Sequence, residues 1–249
     1  MKQLLLLIWS NTQLELSKTL FNYKFVIAMF EVRKTGKMPR YEDAIANRNS
    51  LRILQALAEF EGVANFSGIK DRSGVKDPVL AYHLDRLQSL NVVEKEVKGT
   101  YRLTYKTPLC YIFEKAAEVP IAYLGLLGRR ESRPEPETVV ALALLMKEGV
   151  RPSFVYVVTS PEALNEWKEL RLPYQWILCY EEEIIDIDAV KGKVIPQLER
   201  LLRDFIVIID CTSATKPATI AYYELAQTYF APLIYIYEET KKLKWLISR

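Results

Sequence analysis

Beyond Pro120 the hydrophobic pattern switches repeatedly between two periods. Residues 121–127, 154–158, 176–179, 205–209 and 233–237 are short apolar runs, rich in β-branched and aromatic side chains, and read as buried strands. Residues 138–147, 161–170 and 190–203, and a segment opening at Pro217, carry apolar positions at helical spacing. Gly149 closes the first of these and Pro161 opens the second. Residues 244–247 end the series as a short edge strand. Regular alternation of strand and helix implies parallel strands joined by right-handed crossovers. Residues 121–249 are therefore predicted to form a Rossmann-like, doubly wound α/β domain with a mostly parallel sheet.

The first half of the chain has a different texture. Residues 3–34 are apolar and free of Gly and Pro, and read mostly as helix, with Leu4 to Ile8 open to a strand reading. One isolated helix cannot bury Leu14, Leu20, Phe21, Phe25, Ile27, Ala28 and Phe30, so residues 1–46 are expected to pack on the next domain or to dimerise. Residues 47–107 begin with a helix capped by Asn49 or Ser50, with a stripe of Leu51, Ile53, Leu54, Leu57 and Ala58, ended by Gly62. A short helix over 66–71 stops at Gly74. A third, over 77–90, points Val79, Leu80, Leu84, Leu87 and Leu90 inward. Alternating runs at 92–97 and 100–105, joined by Lys98 and Gly99, signal a hairpin. Helix, short helix, turn, helix and hairpin is the order of an α+β winged helix-turn-helix. Residues 108–120, between prolines, read as a linker helix.

The chain has 249 residues, half of them apolar, which suffices for two small domains. Cys110, Cys179 and Cys211 are far apart and odd in number. Without a secretory signal they indicate reduced thiols and a cytoplasmic protein. His83 is the one histidine, and no metal-ligand spacing is present. Leu4 to Trp9 is too short to span a membrane. The net charge of +3 hides an asymmetry: residues 1–107 carry 17 basic and 11 acidic side chains, the remainder 17 and 20. Nucleic acid, if bound, belongs to the first half.

Candidate chemistry centres on Asp210-Cys211-Thr212-Ser213-Ala214-Thr215-Lys216, a polar turn between a buried strand and a helix with Pro217 in its first turn. Free backbone N–H groups and the helix dipole favour an anion there, and Thr212, Ser213, Thr215 and Lys216 add hydroxyls and a cation. The spacing is not a P-loop, and no GxGxxG fingerprint is present, which argues against nicotinamide or flavin. The pattern Asp-x-Thr-x-x-Thr-Lys resembles the signature of CARF domains, the CRISPR-associated Rossmann-fold sensors of cyclic oligoadenylates. Ser213 and Ala214 stand where that family usually has two glycines. The resemblance implies a ligand, tetra-adenylate favoured, held across a homodimer two-fold by this turn and by the loop after the first strand: Gly125, Leu126, Leu127, Gly128, Arg129, Arg130 and Ser132 with Asp210, Thr212, Ser213, Ala214, Thr215 and Lys216.

The segment from Tyr82 to Glu94 resembles the recognition helix and wing of ArsR- and MarR-like regulators. That resemblance implies double-stranded promoter DNA as a partner. Lys76, Tyr82, His83 and Arg86 are expected in the major groove, with Lys70 and Arg72 in the turn, and Lys95, Lys98 and Arg102 in the wing, on phosphates. The combined expectation is a cyclic-oligoadenylate-responsive, DNA-binding transcription regulator of CRISPR-associated genes in antiviral defence. Two alternatives stay open. One is a ring nuclease that cleaves cyclic tetra-adenylate without metal, with Lys216 and Ser132 as catalytic residues. The other is a dimeric winged-helix regulator whose Rossmann body only dimerises.

Overall fold

The computed structural model describes residues 38–170, 172–237 and 239–248. The helix or strand expected within residues 3–34, and the dimerisation role expected of residues 1–46, lie largely outside them.

The apolar runs pair into one six-stranded sheet. In chain order its strands are β4 (Ile121–Leu127), β5 (Phe154–Thr159), β6 (Gln175–Leu178), β7 (Ile206–Asp210), β8 (Leu233–Tyr237) and β9 (Lys242–Ile247). Their spatial order is β6-β5-β4-β7-β8-β9, all parallel except β9, which runs antiparallel to β8. The central strands β4 and β7 are buried along nearly their whole length. That explains why their sequences are continuously apolar rather than alternating. The edge strand β9 alternates half-buried Leu243, Trp245 and Ile247 with exposed Lys242, Lys244 and Leu246.

Two helices cover one face. α9 (Ile187–Leu202) buries Val190, Val194, Leu198, Leu201 and Leu202, and α10 (Lys216–Thr228) buries Ala218, Ala221, Tyr222, Leu225 and Ala226. Asp186 caps α9 by accepting from the Ala189 N–H at 2.7 Å, which satisfies one of the first-turn donors. The opposite face packs on α6 (Glu137–Lys147) and on Trp167, which follows α7 (Pro161–Glu166). The acidic connection 181–188 contributes a short helix, α8 (Glu181–Ile184). The architecture is a mixed α/β, Rossmann-like fold.

The amino-terminal part has its own core. It contains α1 (Tyr41–Ile45), α2 (Arg48–Glu59), β1 (Val63–Asn65), α3 (Phe66–Ser73), α4 (Asp77–Ser89), β2 (Val93–Lys95) and β3 (Thr100–Leu103). The three strands form an antiparallel sheet of order β1-β3-β2. Asn47, rather than Asn49 or Ser50, caps α2; its side chain accepts from the N–H groups of both. Val79 is exposed, not inward, because α4 turns Leu80, His83, Leu84 and Leu87 to the core. Residues 108–120 are not one helix. A short turn, α5 (Leu109–Ile112), ends before Glu114, whose φ of 57° leaves the helical region.

The two parts meet along a seam. The Lys106 N–H donates to the Leu202 carbonyl at 2.8 Å, Arg102 pairs with Asp204 at 3.1 Å, and Arg203 pairs with Glu94. Among the described residues no helix is long and apolar enough to cross a membrane.

Candidate functional site

The chain leaves β4 toward β5 on one side, and β7 enters on the other. The carboxyl ends of β4 and β7 are thus a topological switch point, where open α/β sheets leave a crevice for ligands. The loop after β4 and the turn after β7 are the two segments singled out in the sequence, and the fold brings them together. A Cβ built on Gly128 would lie 3.5 Å from the Ser213 carbonyl oxygen.

The β7 turn is anchored by a buried carboxyl. Asp210 Oδ1 accepts from the Thr212 N–H at 2.9 Å and from Thr212 Oγ1 at 2.5 Å, while Tyr123 Oη donates to Oδ2 at 2.5 Å. Thr212 Oγ1 also accepts from the Ile236 N–H at 3.0 Å, tying the turn to β8. Burial raises the Asp210 pKa, and the bonds from Thr212 and Tyr123 partly offset it. Asp210 and Thr212, both named as ligand residues, are thereby occupied in shaping the turn.

Gly125 serves packing. A Cβ there would lie 2.5 Å from Tyr123 Oη, so glycine lets the phenol pass over β4 to Asp210. The Gly125 carbonyl accepts from Tyr222 Oη at 3.2 Å. Leu126 and Leu127 bury their side chains in the clusters on opposite faces of the sheet. This leaves the loop from Gly128 onward as the reachable part of the first segment.

At the turn itself donors remain open. Thr215 caps α10 by accepting from the Ala218 N–H, and its hydroxyl donates to the Ile184 carbonyl at 2.8 Å. Among the described residues, the backbone N–H groups of Ser213, Thr215 and Lys216 have no hydrogen-bond acceptor. Ser213 Oγ is shielded from solvent and has no hydrogen-bond partner. Ala214 is half-buried against the core. Lys216 is exposed in the first turn of α10 and has no carboxylate within ion-pair range among the described residues. Unbonded N–H groups at a helix start, an orphan hydroxyl and an open ammonium form an anion-accepting environment.

The arginines expected to meet phosphate are already engaged. Arg129 donates through Nε to Glu181 at 2.7 Å and lies 3.7 Å from Glu166. Its hydrogen bond to Glu181 raises its pKa. Arg130 donates its backbone N–H to Glu166 at 2.7 Å, faces Glu169 at 3.8 Å and lies over the Trp167 ring at 5.3 Å. Ser132 is exposed in the same loop. Sequence reasoning missed Tyr123, Glu166 and Glu181. The acidic run at 181–188 was the visible signal for the last, since carboxylates in a connection beside a basic loop invite pairing.

In the amino-terminal part, the structure overturns the groove-facing placement of His83. The residue is only 5% exposed, and Nδ1 lies 3.0 Å from Ser50 Oγ on α2. Most basic candidates there are paired: Lys70 with Asp77 at 2.8 Å, Arg72 with Glu59, and Arg102 with Glu96 at 2.6 Å as well as with Asp204. Arg86 donates to the Asp43 carbonyl at 3.3 Å, and Lys95 lies 5.9 Å from the Tyr101 ring centre. Lys76, at the N-cap of α4, and Tyr82, on the helix, are exposed. Lys98 is in the turn joining β2 to β3. Among the described residues there is no group of three His, Cys, Asp or Glu side chains able to hold a metal.

No protein-family profile matches the chain, and no curated protein does. Solved structures similar to part of it include Can2 from Sulfobacillus thermosulfidooxidans in complex with cyclic tetra-adenylate, at 13% identity and a TM-score of 0.37 over 51% of this chain. Protein VC1899 from Vibrio cholerae is similar at 10% identity and a TM-score of 0.38 over 51% of the chain. Enterococcus italicus Csm6 bound to cyclic hexa-2'-fluoro-hexa-dAMP is similar at 12% identity and a TM-score of 0.35, again over 51%. The matches span 34%, 33% and 36% of those proteins, so this chain corresponds to about a third of their length.

Proposed function

We propose that the chain is a CARF-type sensor of cyclic oligoadenylate, tetra-adenylate favoured, whose amino-terminal part is a winged helix-turn-helix acting on promoter DNA of CRISPR-associated genes. The observation that carries the reading is the meeting of two turns remote in sequence, 128–132 and 211–215, at the switch point between β4 and β7. Around them are unbonded N–H groups, the orphan Ser213 hydroxyl and the open Lys216 ammonium. Each linkage of a ring adenylate carries a phosphate charge, and a helix start with free donors suits it. A tetra-adenylate ring has two equal halves, so two copies of the chain related by a two-fold axis can hold one ring between them. The same symmetry fits a palindromic operator.

The DNA arm draws support from the element order, β1, α3, α4 and then the β2–β3 hairpin. Contacts are assigned to Lys76, Tyr82 and Lys95, with Lys70 and Arg72 exchanging Asp77 and Glu59 for phosphates. His83 is withdrawn from that set. The test is mass spectrometry of nucleotide retained by the chain when purified from cells that make cyclic oligoadenylates. A cyclic adenylate at about one ring per two chains is expected. Absence of retained nucleotide, together with no heat on titration with tri-, tetra- and hexa-adenylate rings, overturns the reading.

A further inference from the structure

At the other end of the sheet lies a cleft of about 360 Å³, beside Pro120 before β4 and Asp204 before β7. It is therefore remote from the strand-end turns. Its other walls come from the turn between α2 and β1, from β3 and from α5. We propose that this seam cleft is a second ligand site, taking a small amphipathic oxyanion. The charged group sits on Lys106, and an aromatic or aliphatic body lies against Phe60, Val63, Val119 and Pro120.

The volume falls in the range of small-molecule sites, roughly 300–1,000 Å³. Phe60 contributes an apolar wall that is 43% exposed. The charges lining the cleft are unevenly matched. Arg102 is held by Glu96 and Asp204, and Lys115 by Glu118 at 2.6 Å. The Lys106 ammonium donates to the Glu61 backbone carbonyl, and among the described residues no carboxylate lies within ion-pair distance of it. Burial lowers the Lys106 pKa and Arg102 adds to the effect, while Asp204 and Glu61 offset part of it. A half-buried ammonium with no carboxylate at ion-pair distance among the described residues is the group in this cleft that gains most from an incoming oxyanion. Because the walls belong to both parts of the molecule, an occupant would bridge the seam already closed by Arg102–Asp204 and Arg203–Glu94.

The test uses the full chain and site-resolved amine chemistry. Lysines are acetylated with N-hydroxysuccinimidyl acetate and each rate is read by peptide mass spectrometry. The probes are phenyl phosphate and phenylacetate, which separate phosphate from carboxylate recognition, and inorganic phosphate, which lacks the apolar body. A probe at about ten times its Kd, measured by calorimetry, leaves roughly one site in eleven open. Lys106 acetylation should then slow about tenfold while acetylation of Lys147, exposed at the end of α6 and outside both sites, is unchanged. Inorganic phosphate should protect less, and Phe60→Ala should weaken the phenyl probes but not inorganic phosphate. An unchanged Lys106 rate with both phenyl probes at their highest soluble concentration overturns the proposal. So does equal slowing at Lys147, or a Phe60→Ala variant that binds the phenyl probes as the parent does. None of these outcomes depends on what binds at the strand-end turns.

Discussion

Replacing Tyr123 with phenylalanine deletes one hydroxyl and keeps the ring that fills the space over Gly125. The lost bond runs to a carboxyl oxygen of Asp210 at 2.5 Å, with both residues buried. A hydrogen bond to a charged group is worth about 1.5–3 kcal/mol. At a urea dependence of about 2–3 kcal/mol per molar, the unfolding midpoint should fall by roughly 0.5–1.5 M at neutral pH. The pH dependence has a definite sign. Burial holds the Asp210 pKa above its ordinary value. A raised carboxyl contributes stability that is fully present below its unfolded pKa of about 3.9 and is lost as pH rises through the folded value. Without the Tyr123 bond the folded value rises further, so the deficit of Tyr123→Phe is greatest at neutral pH and narrows on acidification. Urea titrations followed by circular dichroism at about pH 7.5 and 4.5 measure both points. Equal midpoints for parent and variant at pH 7.5, or a deficit that widens in acid, would refute the reasoning that Tyr123 holds a carboxylate at the base of the turn.

Glu181→Gln releases Arg129 from its main partner; affinity for cyclic tetra-adenylate, read by calorimetry, should rise about two- to fivefold, the scale of one competing exposed pair. Burial, with Arg86 adding to it, lowers the His83 pKa, so the stability linked to it is present above about pH 6.5 and is lost as pH falls toward the folded value; thermal melts should show that loss in the parent and a flatter profile in His83→Gln. Lys76→Ala combined with Lys95→Ala should lower the slope of log affinity for operator DNA against log salt by up to about two, as expected for two lost phosphate contacts, in filter-binding titrations across salt.

The sheet was legible because its central strands are buried on both faces. Residues 121–127 and 233–237 form strands with those very bounds, and the turn after β7 lies where the polar interruption placed it. Elements defined by pairing alone were not legible. β1 is three residues, Val63, Ala64 and Asn65, and is a strand only because β3 lies beside it. His83 gave no local sign of burial, since its partner Ser50 belongs to another helix. Arg129 and Arg130 read as free phosphate ligands because the carboxylates facing their side chains, Glu181 and Glu169, come from distant segments of the chain. Gly125 read as a ligand residue, whereas its missing side chain makes way for the Tyr123 ring. In each case the missing information was a side chain from a distant segment, which no pattern of spacing contains.

The central claim is that the turns at the ends of β4 and β7 receive a cyclic oligoadenylate, and calorimetric titration of the parent chain and Lys216→Ala with cyclic tetra-adenylate tests it most directly. Saturable binding at about one ring per two chains is predicted, weakened roughly 10- to 150-fold by Lys216→Ala, the range of a charge-assisted contact of about 1.5–3 kcal/mol. No heat with the parent chain, or equal affinity in the two proteins, would contradict the account.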